Sequence, residues 1–338
     1  MTAEQTLQQT EIRPRPSFWA RFRIDLNAIF PHSHLETESM AIFTYEARRL
    51  RYGRTLADLR TMTLWGLFYA VAAAVALFLI VVLVASSYQG ARSALGTILG
   101  WMLFLSLADK FIYDFVGLTT GLDSIRTDYN SHRWPLIAVS DMSMNRIVAI
   151  KYLVVQIATW RTMLLVVGLR LSVVVLGVLN LFVLPLLFPV ESEASLSDFA
   201  AVDTIEELLV IGFTLAIVGI IAVVYVIEPR WRLRALSAAS LLNSLRGRDA
   251  SVGLMWSVSS FLRLWLVQIM IGIVAFIGLS LPSSFISFIV WADGLGVGLL
   301  YVLYTLAIGA FIRYSYRSYA SARLREVYHR LVKDGGGR

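Results

Sequence analysis

The sequence predicts an all-α integral membrane protein with six transmembrane helices. Three observations carry this. Of 338 residues, 57% are hydrophobic and only 16% charged, with a mean hydropathy of +0.69; soluble chains run at about 45–50% apolar and about 25% charged. Uncharged or nearly uncharged apolar runs long enough to cross about 30 Å of hydrocarbon recur along the chain. Basic residues gather on alternate connections between those runs. The chain has no cysteine, so a disulfide framework, a thiol nucleophile and a Cys-based metal site are excluded.

Residues 1–60 read as a cytoplasmic N-terminal tail. They lack the apolar core of a signal peptide, so the first apolar run is expected to remain a span. Residues 17–30, SFWARFRIDLNAIF, place Phe18, Trp19, Phe22, Leu26, Ile29 and Phe30 at helical spacing. This fits an amphipathic helix, lying at the membrane interface or packed on the protein's own cytoplasmic side. His32 and His34 lack a third ligand nearby and suit a solvated loop better than a metal. Arg48, Arg49, Arg51, Arg54 and Arg60 then hold the entry to the first span on the cytoplasmic side.

The transmembrane domain is expected over 61–312, with spans at about 64–85, 95–118, 151–188, 208–227, 258–281 and 285–312. The first has no charge. The second contains Asp109, Lys110 and Asp114. The third exceeds one crossing, carries Arg161 and Arg170 in its first half, and exits at Pro185 and Pro189. A strongly acidic loop follows, with Asp203 or Thr204 as a helix cap. The fourth span ends at Glu228-Pro229, before Arg230, Arg232, Arg234, Arg246 and Arg248. Arg263 lies near the start of the fifth, and the sixth contains Asp293 among glycines. Residues 313–338 form a basic cytoplasmic tail with helical pattern. The N-terminal region, 119–151, 230–248 and the tail are basic, whereas 86–94, 188–207 and 282–284 hold one arginine among them. Both termini are therefore expected in the cytoplasm.

No HExxH, GxSxG, GxxxxGK[ST] or helix-opening GxGxxG occurs, so no enzyme is expected and any ATP must be handled elsewhere. Asp114 and Asp293 resemble an intramembrane aspartyl protease only faintly, because Asp293 precedes its glycines instead of following a Gly-x-Gly. Charges inside spans are functional hypotheses by default. Lys110 and Asp114 stand one turn apart and are expected to neutralise each other. Asp109 needs another partner, with Lys110, Arg161, Arg170 and Arg263 as candidates for it and for Asp293. The set Asp109, Lys110, Asp114, Arg170, Arg263 and Asp293 reads either as a polar lining to a transport path or as ion pairs that fix helix register. Arg161, Arg170 and Arg263 lie toward the cytoplasmic side and can snorkel.

The connection from Gly121 to Lys151, GLDSIRTDYNSHRWPLIAVSDMSMNRIVAIK, is too long for a turn and too patterned for a slack linker. It resembles the cytoplasmic loop of ABC-2 type transporter permeases, whose pattern runs S-I-x-x-E-x-x-x-G-T, an apolar helix face, T-P-L-S and I-V-x-x-K. Ser124-Ile125, Asp128, Ser140, Met142-Ser143, Ile147-Val148 and Lys151 fall at these positions without gaps. Asp128 replaces the glutamate, His132-Arg133 the Gly-Thr and Asp141 the proline. The resemblance implies a cytoplasmic coupling helix between spans 2 and 3. It implies a homo- or heterodimer with another permease chain in a bacterial inner membrane, driven by a separate ABC ATPase nucleotide-binding subunit that holds ATP and Mg. It implies no cofactor in this chain and no nucleic-acid partner. Ser124, Asp128, Arg133, Ser140, Arg146 and Lys151 would be the coupling residues, with Asp128, Arg133 and Arg146 as exposed charges facing the ATPase. The alternatives are a solvated loop helix and a non-transporting membrane scaffold or accessory subunit.

Overall fold

The computed structural model describes residues 45–46, 56–131, 134, 144–188, 205–247, 250–280 and 294–335. The expected amphipathic helix at 17–30, the basic cluster 48–54, the acidic loop and the turn at 282–284 lie outside these residues. Among those described, the regular structure is helical: α1 (Leu56–Val84), α2 (Tyr88–Thr120), α3 (Leu122–Asn130), α4 (Met144–Val178), α5 (Leu184–Leu187), α6 (Ile205–Arg246), α7 (Ala250–Ser280) and α8 (Gly294–Gly335). Six helices are long and apolar enough to cross a membrane. Their outward side chains agree: Leu83 is 83% exposed, Val84 81% and Phe276 73%. Exposed apolar surface on this scale marks contact with a membrane or with another protein.

Successive long helices run antiparallel. At one end, Ala74 and Phe78 of α1 pack with Tyr88, Ala91 and Leu95 of α2 and Leu176 of α4. At the other, Ile125 of α3 meets Val148 and Val155 of α4, Leu241 and Leu242 of α6, and Val327 and Leu331 of α8. This second end carries nearly all the described arginines, and we call it the basic end. Helix α6 is the central element, packing on α2, α3, α4, α7 and α8.

The helices are longer than the apolar runs that seed them. The third begins at Met144 instead of 151. The fourth, expected to stop near 227, continues to Arg246, and the sixth runs on to Gly335. At 42 residues, α6 reaches about 63 Å, roughly twice the hydrocarbon thickness. The basic stretch 230–248 is therefore mostly helix and not loop. Its sequence, LRALSAASLLNSLR, explains the extension. Ala235, Ala238, Ala239, Ser237 and Ser240 are buried to within 1%, and such small residues let neighbouring helices approach closely.

Two prolines interrupt helices without ending them. Pro229 lies inside α6, where it cannot donate to the Tyr225 carbonyl one turn back. Arg170 Nη1 donates to that carbonyl at 2.7 Å instead. Pro185 follows a π-helical turn, Leu179–Val183, which shifts the ladder before the ring arrives.

Gly121 closes α2 where it meets α6 and α4. A Cβ there would collide with Ser240 Oγ and come within 3.1 Å of Ser240 Cβ and 3.2 Å of Val155 Cγ1. Gly121→Ala should lower stability by about 1–3 kcal/mol, as overpacking does. Gly177→Ala, which meets nothing within 4 Å, should be neutral or stabilising. The thermal midpoints of the two variants in detergent, compared with the parent, check this.

Candidate functional site

Two buried polar clusters occupy this frame. The first lies among α2, α4, α6, α7 and α8, around Arg232 and Glu228. The face of α6 that looks inward carries Tyr225, Glu228 and Arg232, which are three and four residues apart and so align on one side. Arg232 is fully buried. Its Nε and Nη2 donate to the two oxygens of Asp114 on α2, a bidentate pair. Its Nη1 donates to Tyr316 Oη at 3.1 Å and lies 3.5 Å from Glu228 Oε1. Trp265 Nε1 of α7 donates to Asp114 Oδ2 at 2.9 Å.

Glu228 is equally surrounded. Its Oε1 accepts from Tyr316 Oη at 2.6 Å and Gln268 Nε2 at 2.9 Å, and its Oε2 from Arg170 Nη1 at 2.9 Å. Lys110 stands 3.9 Å from Glu228 Oε1. Three cations thus surround two carboxylates, the charges coming from α2, α4 and α6 and the neutral donors Trp265, Gln268 and Tyr316 from α7 and α8. The arrangement welds the helices at one depth.

Several sequence expectations change here. Lys110 and Asp114 do not pair with each other: the carboxylate turns to Arg232, which offers two parallel hydrogen bonds, and the ammonium turns to Glu228. Arg170 does not snorkel. It is 4% exposed, held by Glu228 and the Tyr225 carbonyl that Pro229 frees. Asp109 is half-buried and forms no ion pair among the described residues. Arg161 and Arg263 are exposed and take no part in the network. Asp293 lies outside the described residues. Glu228, Arg232, Gln268 and Tyr316 were not singled out by sequence. Glu228 read as the close of the fourth span, expected at about 208–227, and Arg232 as part of the basic run beyond it. The signal available was their separation by four residues, which puts both on one face if the helix survives Pro229.

The second cluster is at the basic end. Lys151 of α4 is 1% exposed. Its Nζ donates to Asp128 Oδ2 at 2.5 Å, to Glu46 Oε1 at 2.7 Å and to the Ser124 carbonyl at 3.0 Å. It therefore ties α3 and the segment before α1 to the start of α4. Ser124, Asp128 and Lys151, which the loop pattern selected from sequence, do come together. Their role differs from expectation for Asp128. It is 1% exposed and is not a charge facing outward, because its carboxylate is consumed by Lys151. The outward face of α3 is formed by Asp123, Thr127 and Asn130. Arg133 and Ser140 lie outside the described residues, as does the side chain of Arg146.

Nearby, Arg246 of α6 donates to Glu326 Oε1 of α8 at 2.5 Å, and Arg323 and Arg330 close on the same carboxylate at 3.3 and 3.0 Å. Among the described residues no cluster of His, Asp and Glu is suited to a metal. No protein-family model, curated protein or solved structure matches the chain.

Replacing Arg232 by Met should destabilise the protein by about 3–5 kcal/mol, because Asp114 is then buried without its counter-charge. Adding Asp114→Asn to that variant should recover part of the loss. A double-mutant cycle on unfolding midpoints checks this, and additive losses would show that the two residues act separately.

Proposed function

We propose that this chain is the membrane-spanning subunit of an ABC-2 type transporter. It would work with a separate ABC ATPase subunit that binds ATP and Mg, as a homo- or heterodimer in a bacterial inner membrane. The observation that carries the reading is the seating of α3. A nine-residue helix between the second and third spans is fastened to α4 through Lys151 and packed on α6 through Ile125. A force applied to its outer face reaches three long helices without a slack joint, as conversion of a partner's rigid-body motion into helix tilt requires. The loop pattern from Ser124 to Lys151, the six long apolar helices and the missing nucleotide motif support the same reading.

In this reading the basic end is cytoplasmic, because arginine-rich connections stay on that side. The absence of native cysteine allows a direct test. With Gln89→Cys, a membrane-impermeant maleimide should label intact cells. With His329→Cys it should react only after permeabilisation. The reverse pattern would invert the topology.

With Asp128 buried, the exposed Thr127 and Asn130 are the α3 residues that would meet the ATPase in this reading. Protein solubilised in mild detergent should co-purify with a P-loop ATPase. Thr127→Arg with Asn130→Arg should abolish that association while the thermal midpoint holds within about 2 °C, since exposed substitutions cost within about 0.5 kcal/mol. Asp128→Asn should instead lower the midpoint. Recovery of the protein with other membrane subunits and no ATPase would favour a scaffold or accessory role.

A further inference from the structure

A cavity of about 390 Å³ opens between α2, α6, α7 and α8, with Arg170 of α4 in its wall, next to the ion network. Its size is that of an ordinary small-ligand site. Its walls are divided. One part is apolar, made by Ile221, Val224, Ile271, Ile308 and Ile312. Leu107 and Ile221 at its margin are 57% and 44% exposed, so the mouth faces the lipid side of the bundle. The other part is polar, with Lys110, Arg170, Glu228, Gln268 and Tyr316.

The polar wall has unspent capacity. Lys110 makes no hydrogen bond among the described residues; its nearest carboxylate oxygen is 3.9 Å away, and its ammonium lies 5.4 Å from the Trp265 ring centroid. Arg170, 4% exposed, uses Nη1 twice and leaves Nε buried with no partner among the described residues. Gln268 gives its amide N–H to Glu228 and Tyr316 and leaves Oε1 buried without a donor among the described residues. Among the charged residues that line the cavity, Lys110 and Arg170 outnumber Glu228 by one positive charge, and Asp109 lies in electrostatic range of Arg170 from outside that lining. Desolvated donors and a surplus cation at the foot of an apolar trough call for an anion that carries its own hydrocarbon.

We propose that this cavity binds an anionic phospholipid, with the phosphate at Lys110 and Arg170, a headgroup hydroxyl donating to Gln268 Oε1, and an acyl chain along Val224, Ile308 and Ile312. The ligand neutralises the surplus charge and fills the trough. Its site is built by helices α2, α4, α6, α7 and α8 of this one chain, so the inference stands whether or not the chain pairs with an ATPase.

The test is native mass spectrometry of the full-length protein extracted from vesicles made of equal parts phosphatidylglycerol and phosphatidylcholine, without nucleotide or partner. The parent should retain phosphatidylglycerol over phosphatidylcholine by about tenfold, the scale of one charge-assisted hydrogen bond. Lys110→Met should abolish the preference. Gly272→Leu should do the same by filling the trough, since a Cβ at Gly272 meets nothing within 4 Å and no polar partner is removed. If Lys110→Met does not fold, Gly272→Leu decides. Equal retention of the two lipids by the parent, or an unchanged preference in Gly272→Leu, overturns the proposal. So does equal thermal protection of the lipid-free protein by inorganic phosphate, which would mean a water-borne anion.

Discussion

Arg232 holds the bundle together. It sits at zero exposure on the helix that touches nearly every other, and it links α2 through Asp114 and α8 through Tyr316. Its burial within a largely apolar bundle would cost several kcal/mol for the ion alone. Only a geometry in which each donor finds a carboxylate or hydroxyl offsets that cost. The requirement propagates outward. Glu228 must be placed one turn away, Arg170 must reach across from α4, and the helix must continue through Pro229 to keep Glu228 and Arg232 on one face. Pro229 itself is tolerated because Arg170 takes the carbonyl that the proline leaves open. The break in the α6 ladder and the ion network are thus one feature and not two.

Below this network the basic ends of α4, α6 and α8 form a second packed layer. Its contacts are of a different kind. Alanines and serines of α6 bring backbones close, and Gly121 lets α2 end against Ser240. Lys151 fastens α3 from beneath. The membrane-crossing parts, by contrast, present leucine, valine and phenylalanine outward. Among the described residues the tightest packing therefore lies beyond the apolar spans. The cavity beside Lys110 lies on the other side of the network from that packed layer, where the charged groups meet the apolar trough.

Much of the site was legible in part. The loop pattern picked out Ser124, Asp128 and Lys151, and the structure brings these three together. It could not tell that Asp128 faces inward, because an aspartate between Thr127 and Tyr129 on a short helix carries no sign of what covers it. Its partner is Lys151, 23 residues along, which also holds Glu46 from the segment before α1. Likewise, intramembrane charge marked Lys110, Asp114 and Arg170 as worth attention. Spacing along one helix then suggested the wrong pair. Lys110 and Asp114 are neighbours on α2, but a guanidinium from α6 makes two parallel hydrogen bonds to the carboxylate where a single ammonium makes one at best.

By itself the sequence determined the class of protein, the number of long apolar helices and the alternation of their ends. These follow from hydropathy, length and arginine placement, which are properties summed over local windows. Only the tertiary structure decided where each helix stops, which charges meet and which are left with unspent donors. Pro229 was read as a terminus because proline removes a hydrogen bond. It became an interior residue because a side chain 59 positions away in the sequence restores the balance. Partner identity across helices depends on which faces are turned together, and no one-dimensional spacing contains that information.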